Sequence, residues 1–503
     1  MINRINKLKK ESHLYKIYEQ NIKKQVKILD TLELQIEPIG IQQLSELTDL
    51  SRSSTVKYLK KIANKLIEYN ISKEDVLCHF DDEKVTTVYI EINDMEIYHD
   101  FRNLLVQEDS MVQIGLRLIL GEKLNRVSLI NEYYLSETPL KERLKLLREV
   151  FQIYGIDLKG RDGKLFLSGD EAIIRKVGLM LINDIFSENQ WPIDHVSEKE
   201  VMAEIKEVVD ISKLTKRQLH DLMFETGIML SRTQRGCSFE RANIFEDFQE
   251  SLDRFLEEYA ILDTHFKISE VEKSFFILNL LSKEWFCLQS IGKKFIKLNH
   301  QTKNEFTKLL EFSEERLIHY FPEMANCAFD LELALFCQHL SKILYPTWKG
   351  DIYKNDMIIH DVKLFERAEL LVKELISYSP KYIVGDYDFL IKQYISLIYL
   401  LADRRLYEKH IAVYVSGLDS EVEQIILEKF IRETYNQFFK INFVRSIKES
   451  NVFVEVGRYS PRITTHPTDQ NVMYGKISPR LQVRDMMLLS KILQAHELRQ
   501  LLS

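Results

Sequence analysis

Apolar residues recur at helical spacing along nearly the whole chain. In IKKQVKILDTLEL (residues 22–34), Ile22, Val26, Ile28, Leu29, Leu32 and Leu34 fall mainly on one face of a helix. The Pro38-Ile39-Gly40 break then leads into IQQLSELTDL (41–50), a short helix with Ile41, Leu44 and Leu47 as its buried stripe. A turn at Asp49-Leu50-Ser51 precedes SRSSTVKYLKKIANKLIEY (51–69), where Val56, Leu59, Ile62, Ala63 and Leu66 face inward. Ser51 is suited to the N-cap, since its hydroxyl can accept from the open amides of the first turn.

A helix, a tight turn and a second helix with a Ser/Thr/Arg-rich first turn form the helix-turn-helix pattern. Its second helix enters the major groove by its N-terminal residues. The side left for solvent or a ligand carries Arg52, Ser53, Ser54, Thr55, Lys57, Tyr58, Lys60 and Lys61. Arg52 has the fork geometry to read guanine, while the hydroxyls and lysines suit phosphate. The plainer alternative is a three-helix bundle with a solvated basic face.

The arrangement repeats downstream. QIGLRLILGEKLN (113–125) is an apolar helix, and a short helix with Leu129, Ile130 and Tyr133 leads to a turn at Ser136-Glu137. A long helix starts near Pro139, a residue suited to the first helical position. It buries Leu140, Leu144, Leu147 and Phe151, and its polar side shows Lys141, Arg143, Lys145 and Arg148. After Gly155, Ile156/Leu158 and Leu165/Phe166/Leu167 alternate around Gly160-Arg161-Asp162-Gly163 and read as a hairpin. A hairpin behind a recognition helix is a wing, whose Lys159, Arg161 and Lys164 reach backbone phosphates.

Charge sharpens this picture. The 503 residues carry a formal net charge of −7, which taken alone argues against a nucleic-acid binder. Residues 1–70 hold 13 Lys/Arg against 8 Asp/Glu, and residues 111–164 hold 10 against 7. The two segments with helix-turn-helix patterns are thus locally basic, and the acidity lies elsewhere. Only 16 Gly and 9 Pro are present, which favours helices over sandwiches or barrels. The 5 cysteines are scattered without a C-x-x-C pair, as expected of free thiols in a reducing cytosol. Cys337 and His339 alone stand at ligand spacing, so neither a metal site nor a cofactor is expected. No signal peptide or membrane span is read, and a cytoplasmic location is expected.

From about 172 to 400 amphipathic helices follow one another, and two stretches look internally related. The first unit contains residues 211–245 and 268–284; the second contains 329–356 and 387–405. Tandem helix-turn-helix units followed by two such helical modules resemble the Mga/AtxA family of virulence and global transcriptional regulators of Gram-positive bacteria. In that family the helical modules resemble PRDs, regulation domains phosphorylated on histidine by the sugar phosphotransferase system. The resemblance implies a phosphoprotein controlled by HPr or another protein of that system. Where a PRD pattern holds its second histidine, this chain has Asn279 in the first module and Ile398 in the second. The nearest histidines to the first-helix positions are His220 and His339, with His195, His265 and His360 at module or helix edges.

After Arg405 the pattern changes. IAVYV, a loop SGLDS, a long helix, KINFV and VFVEV give a βαβ unit of parallel sheet. This segment resembles the phosphotransferase EIIB domain, but Tyr414 stands three residues before Gly417 where that domain has its phosphorylated cysteine. A dimerisation or docking role is therefore expected.

The expected fold is mainly α and multidomain. It comprises a helix-turn-helix domain (1–70), a second, winged one of Mga type (71–171), PRD-like bundles (172–288 and 289–405) and an EIIB-like α/β domain (406–503). The expected function is a non-enzymatic transcriptional regulator, an activator of virulence or metabolic genes. Its partners would be double-stranded promoter DNA and a second copy bound through the PRD-like and EIIB-like domains, with no membrane. The alternatives are a phosphotransferase-system phosphocarrier, a PRD-type RNA-binding antiterminator, and a helical scaffold with no nucleic-acid role.

Overall fold

The computed structural model describes residues 13–33, 39–77, 89–90, 92, 94–186, 190–240, 242–259, 266, 268–326, 330–348, 362–401, 411–417, 420–435, 439–456, 463–466, 469–477 and 483–500. Cys78, His265, Cys327 and His360 lie outside the described residues. The described chain is mainly helical and divides into two compact units. One is Met1–Thr307 with Cys337–Trp348, and the other is Lys308–Phe336 with Lys349–Ser503.

The first unit opens with α1 (Gln20–Glu33), α2 (Ile41–Thr48) and α3 (Arg52–Glu68), and α4 (Met95–Gln107) completes their bundle. Ile28, Leu29, Leu44, Leu59, Ile62, Leu66, Tyr98 and Phe101 share one core. This is the helix–turn–helix read from periodicity, with boundaries within two residues. Asp49 ends α2 in the left-handed region at φ 51° and turns the chain into α3. A two-residue strand β1 (Ile39–Gly40) pairs antiparallel with β2 (Tyr89–Ile90).

Next come α5 (Ser110–Ile119), β3 (Leu124–Asn125), α6 (Arg126–Glu132) and α7 (Glu137–Ile153). They are followed by β4 (Asp157–Arg161), β5 (Lys164–Ser168) and α8 (Glu171–Ile185). The strands form an antiparallel sheet in the order β3-β5-β4. The hairpin is where the sequence placed it, with Gly160 and Arg161 inside β4 and the turn confined to Asp162-Gly163. Both turn residues have positive φ, 52° and 74°, which is the type I′ geometry whose twist matches the flanking strands. The helix expected over 113–125 ends at Ile119, since Gly121 at φ 92° turns the chain away, and Leu124–Asn125 form strand β3 instead. Likewise α7 begins at Glu137 and not at Pro139, since a proline fits anywhere in a first turn whose amides are open. α8 packs closely on α5: a Cβ on Gly178 would lie 2.6 Å from Cγ2 of Ile119.

The remainder of this unit is built from α9 (Glu198–Val208), α10 (Lys216–Gln234), α11 (Gln249–Glu258), α12 (Glu270–Leu281) and α13 (Ser290–Thr302). α12 is buried on nearly every side, from Glu272 to Leu281, as expected for a central bundle helix. Two further helices follow, α14 (Glu305–Tyr320) and α15 (Leu331–Leu344).

In the second unit, α16 (Val362–Tyr378) and α17 (Tyr387–Leu401) pack together. Arg316 of α14 pairs with Glu374 of α16 at 2.6 Å, and Phe312 stacks on Tyr378. The C-terminal part is a five-stranded sheet in the order β7-β6-β8-β10-β9. Its strands are β6 (Ile411–Ser416), β7 (Ile441–Phe443), β8 (Val452–Val456), β9 (Ile463–His466) and β10 (Asp469–Ile477). All pairs are parallel except β9 with β10. α18 (Glu421–Tyr435) and α19 (Val483–Gln500) share the sheet's core through Leu427, Ile431, Leu489 and Ile492. The βαβ reading of residues 411–456 agrees with these pairings, whereas β9, β10 and α19 were not read from the sequence.

Cys237, Cys287 and Cys337 are free thiols, the last two buried. Among the described residues no helix is long and apolar enough to cross a membrane.

Gly417 ends β6 at φ 85°, and a Cβ there would meet the carbonyl oxygen of Val456 at 2.3 Å. Gly417→Ala should therefore lower the stability of the α/β domain by at least about 1–2 kcal/mol, the usual cost of a left-handed L-residue. Urea unfolding of the full chain followed by circular dichroism checks this.

Candidate nucleic-acid interface

The first candidate surface is the open side of α3. Ser51 caps it, its Oγ accepting from the Ser54 amide at 3.2 Å, and the Ser53 and Ser54 hydroxyls lie within 3.1 and 2.9 Å of the same oxygen. Arg52, Ser53, Lys57 and Lys60 are exposed, and no acidic residue occurs between Arg52 and Lys65. Two expected contacts belong instead to the core. Thr55 is fully buried and its hydroxyl donates to the Ser51 carbonyl, while Tyr58 is 9% exposed. Helical spacing alone cannot separate a polar position at the stripe's edge from one facing out. Tyr58 still serves the surface indirectly, because Lys24 of α1 and Lys61 of α3 both lie 5.5 Å from its ring centre. Lys61 also donates to Asn21 at 2.8 Å. Lys24 of α1 thus borders the α3 face, a juxtaposition no local pattern reveals, whereas Lys23 lies over Tyr15 and Lys27 pairs with Asp49 at 3.6 Å.

The second surface is α6, α7 and the β4–β5 hairpin. Asn125 caps α6 by accepting from the Val127 and Ser128 amides. Tyr134 holds the turn at φ 51° with 95% of its surface exposed. Lys141 and Lys145 are exposed on α7, but Glu137, Glu142 and Glu149 share that side, with Lys145 and Glu149 4.0 Å apart. Arg143 and Arg148 are not on the open face. Arg143 pairs with Glu19 at 2.6 Å and also donates to Ser110, and Arg148 donates to the Leu158 carbonyl. They were read as outward because α7 alone gives no hint of the segments packed beside it. Lys159, Arg161 and Lys164 are exposed on the hairpin; Lys159 donates to Ser168 and Arg161 lies 3.6 Å from Asp162.

Behind this second unit lies a buried ionic cluster. Glu171 accepts from Arg175 at 2.9 Å and from Arg232 at 2.6 and 2.7 Å. Arg175 also forks onto Glu272 at 2.7 and 2.8 Å, and Glu272 accepts the Phe239 amide. Arg232 reaches the Ile119 carbonyl at the end of α5.

The histidines fare unevenly as phosphate acceptors. His339 is 2% exposed, and burial holds its pKa down at about 3, so neither nitrogen is open to a donor. His195 lies 2.9 Å from the Ser231 hydroxyl, with burial and then Arg235 lowering its pKa. His220 packs edge-on against Phe224 and its Nε2 is buried. Asn279 is 6% exposed and accepts from the Tyr345 hydroxyl at 2.6 Å, while donating to Glu225, itself paired with Lys283 at 2.8 Å. The adjoining cavity measures about 20 Å³, room for a single water. Ile398 is fully buried. In the α/β domain, the first turn of α18 carries Glu421 and Glu423, which oppose an anion at that helix terminus. Among the described residues no cluster of His, Cys, Asp and Glu could hold a metal ion.

Residues 96–182 match the family model of the Mga helix-turn-helix domain. The match runs from α4 through most of α8 and covers a small part of the chain. No curated protein matches the chain. The protein therefore carries a helix-turn-helix domain of Mga type, which supports a DNA-binding, regulatory role.

Two outcomes test the buried groups. Glu272→Ala leaves Arg175 without its main partner, so unfolding in urea should show a loss of about 3–5 kcal/mol. For His339, the unfolded chain takes up a proton near pH 6.5 and the folded chain only near 3. Stability should thus fall as pH drops through that window, and His339→Met should flatten the fall in denaturation curves taken from pH 7 to pH 4.

Proposed function

We propose that the protein is a transcriptional regulator that binds double-stranded promoter DNA, with α3 as its principal recognition helix. The observation that carries this is the uninterrupted basic, N-capped open face of α3, backed by Lys24 of α1 across the Tyr58 ring. Arg52 stands in the first turn, where a recognition helix meets base edges, and Lys57 and Lys60 lie one and two turns on, positioned for phosphate. The second helix-turn-helix unit contributes mainly through its hairpin, acting as a wing, since the charges on α7 nearly cancel.

The PRD-like helices and the EIIB-like α/β domain serve dimerisation and control. A symmetric dimer would present two heads to one DNA face and multiply the phosphate contacts, so that a chain of negative total charge binds at physiological salt. Phosphoryl transfer to His339 is not part of this reading, because its ring is buried. A cytoplasmic activator under other signals fits the same architecture.

The double substitution Arg52→Ala with Lys57→Ala should weaken binding to a selected duplex by tenfold or more, from the roughly 1–3 kcal/mol of one bidentate base contact together with a lost phosphate contact. A gel-shift titration of the full chain reads this. Unchanged affinity would remove α3 from the recognition role.

A further inference from the structure

We propose that Glu19 and Glu108 are positioning residues that lock the two helix-turn-helix units into one body, so that the protein selects two DNA segments at a fixed spacing. The inference rests on the DNA-binding reading above and adds to it a geometric rule of site selection.

Three consecutive residues join the two helix-turn-helix units. Glu108, Asp109 and Ser110 run from the end of α4, which completes the first bundle, into α5, which opens the second. Each of them holds the first bundle. Glu108 accepts from Lys65, near the end of α3, at 2.7 Å and from the Tyr69 hydroxyl. Asp109 is 1% exposed and accepts the Glu19 amide at 2.5 Å, together with the Met111 and Val112 amides of α5. Ser110 donates to the Glu19 carboxylate at 2.7 Å. All three residues of the connection are thus engaged, and none is left to swing as a hinge.

Glu19 carries the link on to α7. The oxygen that accepts from Ser110 also accepts from Arg143 at 2.6 Å. Both side chains are largely covered, so salt and water screen the pair only in part. The turn His13–Lys16 packs on α7 as well, and Ile17 and Tyr18 beside it are buried. Two residues beyond Glu19, Asn21 accepts from Lys61 on the open side of α3 at 2.8 Å. Two residues span about 7 Å at most. Side chains from α3 and from α7 therefore end on one short stretch of chain, and the two surfaces are neighbours at a set separation. Surfaces joined by a flexible linker can follow a change of spacing, because loop entropy grows slowly with length. Surfaces in one body cannot.

The test is spacing tolerance, read by gel-shift titration of the full chain. The parent duplex is one that the wild type binds and protects in two segments from hydroxyl radicals. Its companion carries extra base pairs, about a fifth of a helical turn, between those segments. The insertion should weaken wild-type binding by roughly tenfold or more, the loss of at least one good base contact. In the double variant Glu19→Ala with Glu108→Ala the same insertion should cost several-fold less. The ratio of the two affinities cancels any contact that Arg143 gains on release, and any loss of stability, since both duplexes share them. A dimer also sets a spacing, but one that these substitutions leave alone. Equal wild-type affinity for the two duplexes, or protection of a single segment, would overturn the fixed spacing without any variant. An insertion penalty equal in variant and wild type would remove Glu19 and Glu108 as positioning residues. A wild-type chain that bound no duplex would overturn the DNA-binding reading and this inference with it.

Discussion

One carboxylate shared between two buried guanidinium groups ties the Mga-type domain to the helices that follow it. Glu171, at the start of α8, accepts from Arg175 on its own helix and from Arg232 on α10. Arg232 in turn closes the C-terminal carbonyls of α5, which would otherwise be stranded in the interior. Glu272 of α12 occupies the other edge of Arg175. Two positive and two negative groups thus neutralise one another with little water present, where each hydrogen bond is strong and each unpaired charge is costly. Helices α5, α8, α10 and α12 cannot slide independently without breaking charge-assisted bonds.

The two helix-turn-helix units differ in how they could meet DNA. The open side of α3 is basic without interruption, whereas that of α7 alternates lysine with glutamate. Positive charge in the second unit is concentrated in the hairpin and at Arg126. On the reading proposed above, the first unit would read base edges and the second would hold the backbone, a division of labour that the local net charges of both segments conceal.

Much of this architecture was legible in the sequence. The stripes at Leu44 and Leu47 and at Leu59, Ile62 and Leu66 located α2 and α3, and Gly160-Arg161-Asp162-Gly163 announced a hairpin, whose turn the structure narrows to its last two residues. What escaped depends on partners distant in sequence. Arg143 reads as outward until Glu19 is placed beside it. Thr55 and Tyr58 sit at the margin of a helical stripe, where periodicity is ambiguous and neighbouring elements decide. His339 lies in a helix buried on more than one side, so its exposure could not be judged from α15 alone. The strands β9 and β10 were missed because residues 463–477 are too polar to alternate clearly, and pairing with β8 supplies what side-chain pattern does not.

Tyr58 has a further consequence. Lysines from two helices converge on its one buried ring. Long cationic side chains on a free surface sample many rotamers, and a ligand must ordinarily freeze them. Here the shared contact with the Tyr58 ring restricts part of that sampling when the domain folds. Under the proposed DNA-binding role, such a surface would meet phosphates partly ordered, so that less of the association free energy would be lost to ordering.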